Sequence, residues 1–109
     1  MTERRSSERF EVSVELVGRM NGDVFPGTSV NVSETGILIQ TNKVLHLGDA
    51  LTIRLVAPGR DDIVGVGEVV RNEDFGLGQP GYAVRWALST VQKAALRQLI
   101  RAGTKENLR

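Results

Sequence analysis

Side chains that could grip a flat, anionic, acceptor-rich molecule occur in two short patterns of this 109-residue chain. Arg5 and Arg9 stand four apart in the run Arg4-Arg5-Ser6-Ser7-Glu8-Arg9. Each carries a planar fork of donors that suits phosphate oxygens and guanine edges. Further on, Asn31, Ser33 and Gly36 form an Asn-x-Ser-x-x-Gly pattern, whose Asn31 and Ser33, two apart at a strand end, point to one side. The patterns differ in information. With 11 arginines in the chain, about one Arg-x-x-x-Arg is expected by chance on composition alone. A second copy does occur at Arg97 and Arg101, in a helical segment where both arginines read as ordinary solvated residues. The second pattern is rarer: with Asn or Asp allowed at its first position, it is expected about 0.06 times by chance. Asparagine, serine and glycine are also turn formers, so a strand-to-strand turn explains them equally without a ligand.

Other chemistries have little to draw on. The chain has no cysteine and one histidine, which removes disulfides, thiolate metal sites and a cysteine nucleophile. That histidine, His46, lies between Leu45 and Leu47 ahead of a Gly-Asp turn and reads as a turn or edge residue. Asp61-Asp62 and Glu73-Asp74 read as pairs that solvate loops, without a calcium-loop pattern. Residues 76–81 are glycine-rich but lack the spacing and strand-to-helix setting of a dinucleotide fingerprint, and there is no phosphate loop. The sequence therefore predicts no enzyme, no metal and no cofactor. A net charge of +1 from 14 basic and 13 acidic residues argues against a polyanion-coating protein. Three Phe, one Tyr and one Trp are too few for a stacking platform, so no DNA or RNA partner is expected. A charged N-terminus and the absence of a long apolar run predict a soluble, cytoplasmic chain with no membrane insertion.

These residues need a scaffold, and the apolar periodicity supplies one. Phe10, Val12, Val14 and Leu16 alternate with Glu11, Ser13 and Glu15, the period of a strand with one wet face. Asn21-Gly22 then marks a hairpin, and a second strand is predicted over 24–32 with Pro26 at its start or at an edge. Gly36 turns the chain into a third strand, Ile37 to Gln40, and Leu51, Ile53 and Leu55 mark a fourth. The fifth, about 63–71, carries Gly65 and Gly67, which suggest a bend or bulge, and 72–80 reads as a loop. Tyr82, Val84, Trp86 and Leu88 give the sixth strand. Ser89 with Gln92 forms a capping box for a helix whose face is Ala95, Leu96, Leu99 and Ile100, ending at Gly103. The fold class predicted is all-β dominated, a six-stranded antiparallel barrel with one C-terminal α-helix. One domain is expected, with 1–9 as a flexible N-terminal ligand-binding segment, 10–102 as barrel plus helix, and 103–109 as a tail.

An Arg-x-x-x-Arg ahead of the first strand, an Asn-x-Ser-x-x-Gly between the second and third, Val69-Val70-Arg71 in the fifth, and Gly81-Tyr82-Ala83-Val84-Arg85-Trp86 before a closing helix together resemble the PilZ domain family. The likeness runs from Arg4 to about Ala102. It implies a barrel that binds the bacterial second messenger cyclic di-GMP. By that resemblance Arg5 and Arg9 bind guanine edges, guanine faces and phosphates, Asn31 and Ser33 hydrogen-bond a base, and Gly36 leaves room for it. Arg4 reaches, less firmly, toward a second ligand molecule. Two departures stand out: Thr35 replaces the first of two glycines often found there, and Glu34 sets a carboxylate near the expected phosphates. The implied behaviour is that of a stand-alone receptor, a monomer or ligand-linked dimer. It relays the signal to a protein partner as its N-terminal arginine segment orders. The alternative is a ligand-independent module of the same fold in pilus or flagellar machinery.

Overall fold

A computed structural model describes residues 9–76 and 78–107, with side chains as far as residue 102. Seven strands and one helix follow in order: β1 (Phe10–Glu11), β2 (Glu15–Met20), β3 (Asp23–Val32), β4 (Gly36–Gln40), β5 (Ala50–Leu55), β6 (Ile63–Asp74), β7 (Pro80–Ala87) and α1 (Thr90–Asn107). Strands β2, β5, β6, β7, β4 and β3 pair in that order, and β3 pairs back with β2, closing a six-stranded antiparallel barrel. The two-residue β1 lies outside the ring, against the end of β3. The predicted fold class is therefore what the chain adopts.

The barrel closes because each strand turns its alternate β-branched and leucine side chains inward, where burial stabilises each by about 1.5–3 kcal/mol. Leu16, Val32, Ile37, Ile39, Ile53, Leu55, Ile63 and Val84 are all essentially sealed from solvent. The β2–β3 hairpin turns through Asn21 (φ 53°) and Gly22 (φ 87°) between the partners Met20 and Asp23, a left-handed pair suited to a two-residue turn. Pro26 lies where β3 pairs with β2 alone, before β4 joins at Thr28, so its missing N–H interrupts no second ladder.

Several details depart from the sequence-based expectation. The first strand is broken: β1 ends at Glu11 and β2 begins at Glu15. The bulge in β6 lies between Val69 and Arg71 rather than at a glycine. Gly65 instead makes space for packing, since a Cβ there would come within 2.7 Å of Leu88 and of the Trp86 ring. Beyond the bulge β6 stays paired with β7 as far as Asp74, opposite Pro80, which shortens the anticipated loop. The helix passes through Gly103 to Asn107, because a glycine costs a helix about 1 kcal/mol but leaves its hydrogen bond in place.

Ser89 caps α1 as expected, its Oγ accepting from the Gln92 amide at 3.1 Å. The Gln92 side chain does not reach back to complete a capping box. Its Oε1 accepts from the Val64 amide at 2.8 Å and ties the helix start to β6, while Leu96 and Leu99 bury against the barrel.

Candidate functional site

The kink between β1 and β2 is where the site is built. Ser29, an inward-facing and buried residue of β3, fills the gap left by the broken strand. Its hydroxyl donates to the Val12 carbonyl and accepts from the Val14 amide at 3.0 Å, and its own amide donates to the Val14 carbonyl at 2.9 Å. With those groups satisfied, the chain can leave the barrel wall and still pair Phe10 with Val32 and Glu11 with Asn31. Arg9, one residue earlier, therefore stands beside the end of β3.

Asn31 faces outward because of a bulge. Ser29 pairs with Ile39 and Asn31 with Leu38, so Val30 is the extra residue and the alternation slips by one. The guanidinium of Arg9 donates through Nη1 to Asn31 Oδ1 at 3.0 Å, across 22 residues of sequence. The structure thus brings together one arginine of the first pattern and the asparagine of the second. Arg4 and Arg5 lie outside the described residues, as does the rest of the expected 1–9 segment apart from Arg9.

Ser33 and Gly36 have internal work. Ser33 is buried; its Oγ donates to the Gly36 carbonyl at 3.2 Å and accepts from the amides of Gly36 at 3.0 Å and Thr35 at 3.3 Å. One donor and two lone pairs are all a hydroxyl has, so Ser33 is saturated by its own turn. A Cβ on Gly36 would sit 3.2 Å from the Val84 carbonyl, crowding the β4–β7 ladder. Trp86 holds the turn from within: its indole Nε1 donates to the Ser33 carbonyl at 3.0 Å and its amide to the Thr35 carbonyl at 3.1 Å.

Register extends the site across the outer wall. Asn31, Leu38, Ala83 and Arg71 are successive partners on β3, β4, β7 and β6; Asn31, Leu38 and Arg71 lie on the outer side of the wall, opposite the core side chains Val32, Ile37, Ile39 and Val84, while Ala83 is only 4% exposed. One row along, Gly36 is opposite Arg85, whose guanidinium lies 3.9 Å from Glu68. Arg71 is paired with Glu73. The wall therefore offers a low, partly apolar floor at the half-buried Leu38, edged by Asn31, Arg9 and two further arginines. That combination can hold a flat ring on its face, hydrogen-bond its edge, and neutralise an attached anion.

The helical arginine pattern also meets the site. Arg97 Nε donates to Glu34 Oε2 at 2.9 Å, joining α1 to the Ser33 turn across 63 residues. Both Ser29 and this ion pair escaped the sequence reading. A serine at an inward position of a strand was a usable signal for the first; nothing local signals the second. His46 stays in its turn, where Asp49 Oδ2 accepts from the His46 amide at 2.8 Å.

The family model for the PilZ domain matches residues 3–102. The chain belongs to the PilZ domain family. Solved structures with this PilZ fold include the Bacillus subtilis inhibitor of motility (MotI/DgrA), at 18% identity and a TM-score of 0.78 over 95% of the chain. This PilZ domain corresponds to 53% of that protein, about half its length. The PilZ domain of Escherichia coli YcgR with c-di-GMP aligns at 12% identity and a TM-score of 0.77, covering 96% of this chain and 95% of that one. The PilZ domain of CeSA from a cellulose-synthesizing bacterium aligns at 16% identity and a TM-score of 0.61, covering 87% and 96% respectively. No curated protein sequence matches significantly. Among the described residues, no helix is long and apolar enough to cross a membrane, and no three or more His, Asp or Glu side chains cluster as metal ligands.

Proposed function

We propose that this PilZ domain is a binding module for cyclic di-GMP, with no catalytic step, and that it passes the signal to a protein partner. The observation that carries the reading is the hydrogen bond from Arg9 Nη1 to Asn31 Oδ1 at 3.0 Å, which joins the last arginine of the first pattern to the asparagine of the second. Further support comes from the family and from the YcgR PilZ domain, whose structure is one with c-di-GMP. Arg9 then uses its free donors on a guanine edge or phosphate, and Asn31 offers its amide N–H groups to a base. Arg5 adds a second guanidinium and Arg4 serves a second ligand molecule where two bind, whether on a monomer or in a ligand-linked dimer. Gly36 keeps the floor low beside the base. Ser33 holds the turn and reaches a base directly only by releasing the Gly36 carbonyl. Binding orders the segment ahead of Arg9, at a conformational cost drawn from the interaction energy, and alters the surface offered to the partner.

A second reading, a ligand-independent interaction module in pilus or flagellar machinery, has one observation on its side. Ser33 is saturated and Asn31 Oδ1 is already paired, so the turn is complete without a ligand. Calorimetric titration with cyclic di-GMP separates the two. Binding at micromolar concentration or tighter by the wild type, lost in Arg9→Ala, is expected. A flat wild-type titration at low salt favours the second reading.

A further inference from the structure

Glu34 poses an electrostatic problem for any anion bound beside Asn31 and Gly36. It lies inside the Asn31 to Gly36 turn, and its backbone cannot move aside, because Trp86 holds the carbonyls on either side, those of Ser33 and Thr35. The side chain must therefore be neutralised where it stands. The cation that does so comes from α1: Arg97 Nε lies 2.9 Å from Glu34 Oε2, with 55% of the arginine side chain and 32% of the glutamate side chain exposed. Arg97 is set in place by its neighbours, since Leu96 is sealed against the barrel and Leu99 is buried, which directs the next position toward the turn.

Resting on the cyclic di-GMP reading, we infer that Arg97 is a positioning residue of the binding site: it draws the Glu34 carboxylate onto α1 and cancels its charge, so that the turn accepts a phosphate. The other described cations near the turn do not replace it. Arg9 is held at Asn31 and Arg85 faces Glu68, whereas Arg97 has Glu34 as its hydrogen-bonding partner. The second arginine pattern thus contributes through Arg97 alone.

The arrangement predicts a specific pattern of affinities. Removing Arg97 leaves an uncompensated carboxylate in the turn that takes the ligand, which weakens binding about five- to tenfold at low salt. Arg97→Gln, Glu34→Gln and the double variant are titrated with cyclic di-GMP beside the wild type, at about 20 mM and about 300 mM salt, between which the screening length falls from about 20 Å to about 6 Å. Thermal melting checks that each variant is folded. The expected result is weaker binding by Arg97→Gln, binding by Glu34→Gln at least as tight as wild type, and recovery of the Glu34→Gln affinity in the double variant. The Arg97→Gln deficit shrinks at high salt. Unchanged affinity in Arg97→Gln overturns the inference while leaving the ligand reading intact. So does a loss that Glu34→Gln fails to rescue, because Arg97 would then touch the ligand itself. Absence of wild-type binding overturns the ligand reading and this inference together.

Discussion

Replacing Ser33 by alanine separates a residue that builds the site from one that touches ligand. The hydroxyl is buried and makes three hydrogen bonds, all within its own turn. Alanine preserves the backbone bond from the Ser33 amide to the Gly36 carbonyl at 2.8 Å but strips the Gly36 amide of its acceptor in a buried setting. A buried donor left without a partner costs about 1–3 kcal/mol. Alanine also removes a polar group from the interior, which offsets part of that, so a net loss of about 2 kcal/mol is the working figure. For a domain of this size such a loss lowers the melting temperature by about 8–12 °C. Asn31→Ala is the control: Asn31 is half-buried, and its side-chain partner is the exposed Arg9, so its melting temperature should fall by no more than about 2 °C. Differential scanning calorimetry without ligand reads both. A Ser33→Ala protein that melts within a degree or two of wild type would refute the claim that the hydroxyl is committed to the turn.

Ser29→Ala should cost about 2–3 kcal/mol in urea unfolding, since it unpairs the Val12 carbonyl and the Val14 amide at the β1–β2 kink. It should also weaken cyclic di-GMP binding at least tenfold, because Arg9 loses the strand that places it; unaltered stability would remove the stitch. Trp86→Phe keeps an aromatic core but orphans the Ser33 carbonyl, lowering stability by about 2 kcal/mol, and hydrogen exchange at Thr35 and Gly36 should accelerate. Exchange that stays at wild-type rates would show that Trp86 does not hold the turn.

The barrel was legible wherever one face is wet. Tyr82, Val84 and Trp86 alternate with smaller or charged residues, and Asn21-Gly22 can hardly be anything but a tight turn, so the succession of strands along the chain and the hairpin followed from local patterns. Bulges hid the rest. Val30 and Val70 each add one residue to a strand, and after each the inward and outward sets exchange. The reach of β6 to Asp74 and the outward aim of Asn31 were therefore concealed by a period that changes phase. The site was half legible: residue types and order singled out Arg9 and Asn31, which the fold brings into contact. Ser33 and Gly36 were placed in the right turn, but their hydrogen bonding within it comes from buried geometry that spacing does not encode. The role of Arg97 is hidden in the sequence because helical periodicity describes a face and not what opposes it. Its partner Glu34 is 63 residues away and is met only after the barrel closes.

The central claim is that cyclic di-GMP lies on the outer wall where Arg9 meets Asn31. Amide chemical-shift mapping of the labelled protein, titrated with cyclic di-GMP, tests occupancy and location together. Saturable shifts are expected, concentrated on Arg9 to Glu11, Asn31 to Gly36 and Leu38, with the opposite wall at Thr52 and Arg54 unchanged. Shifts confined to residues away from Arg9 and Asn31, or no shifts at millimolar ligand, would contradict it.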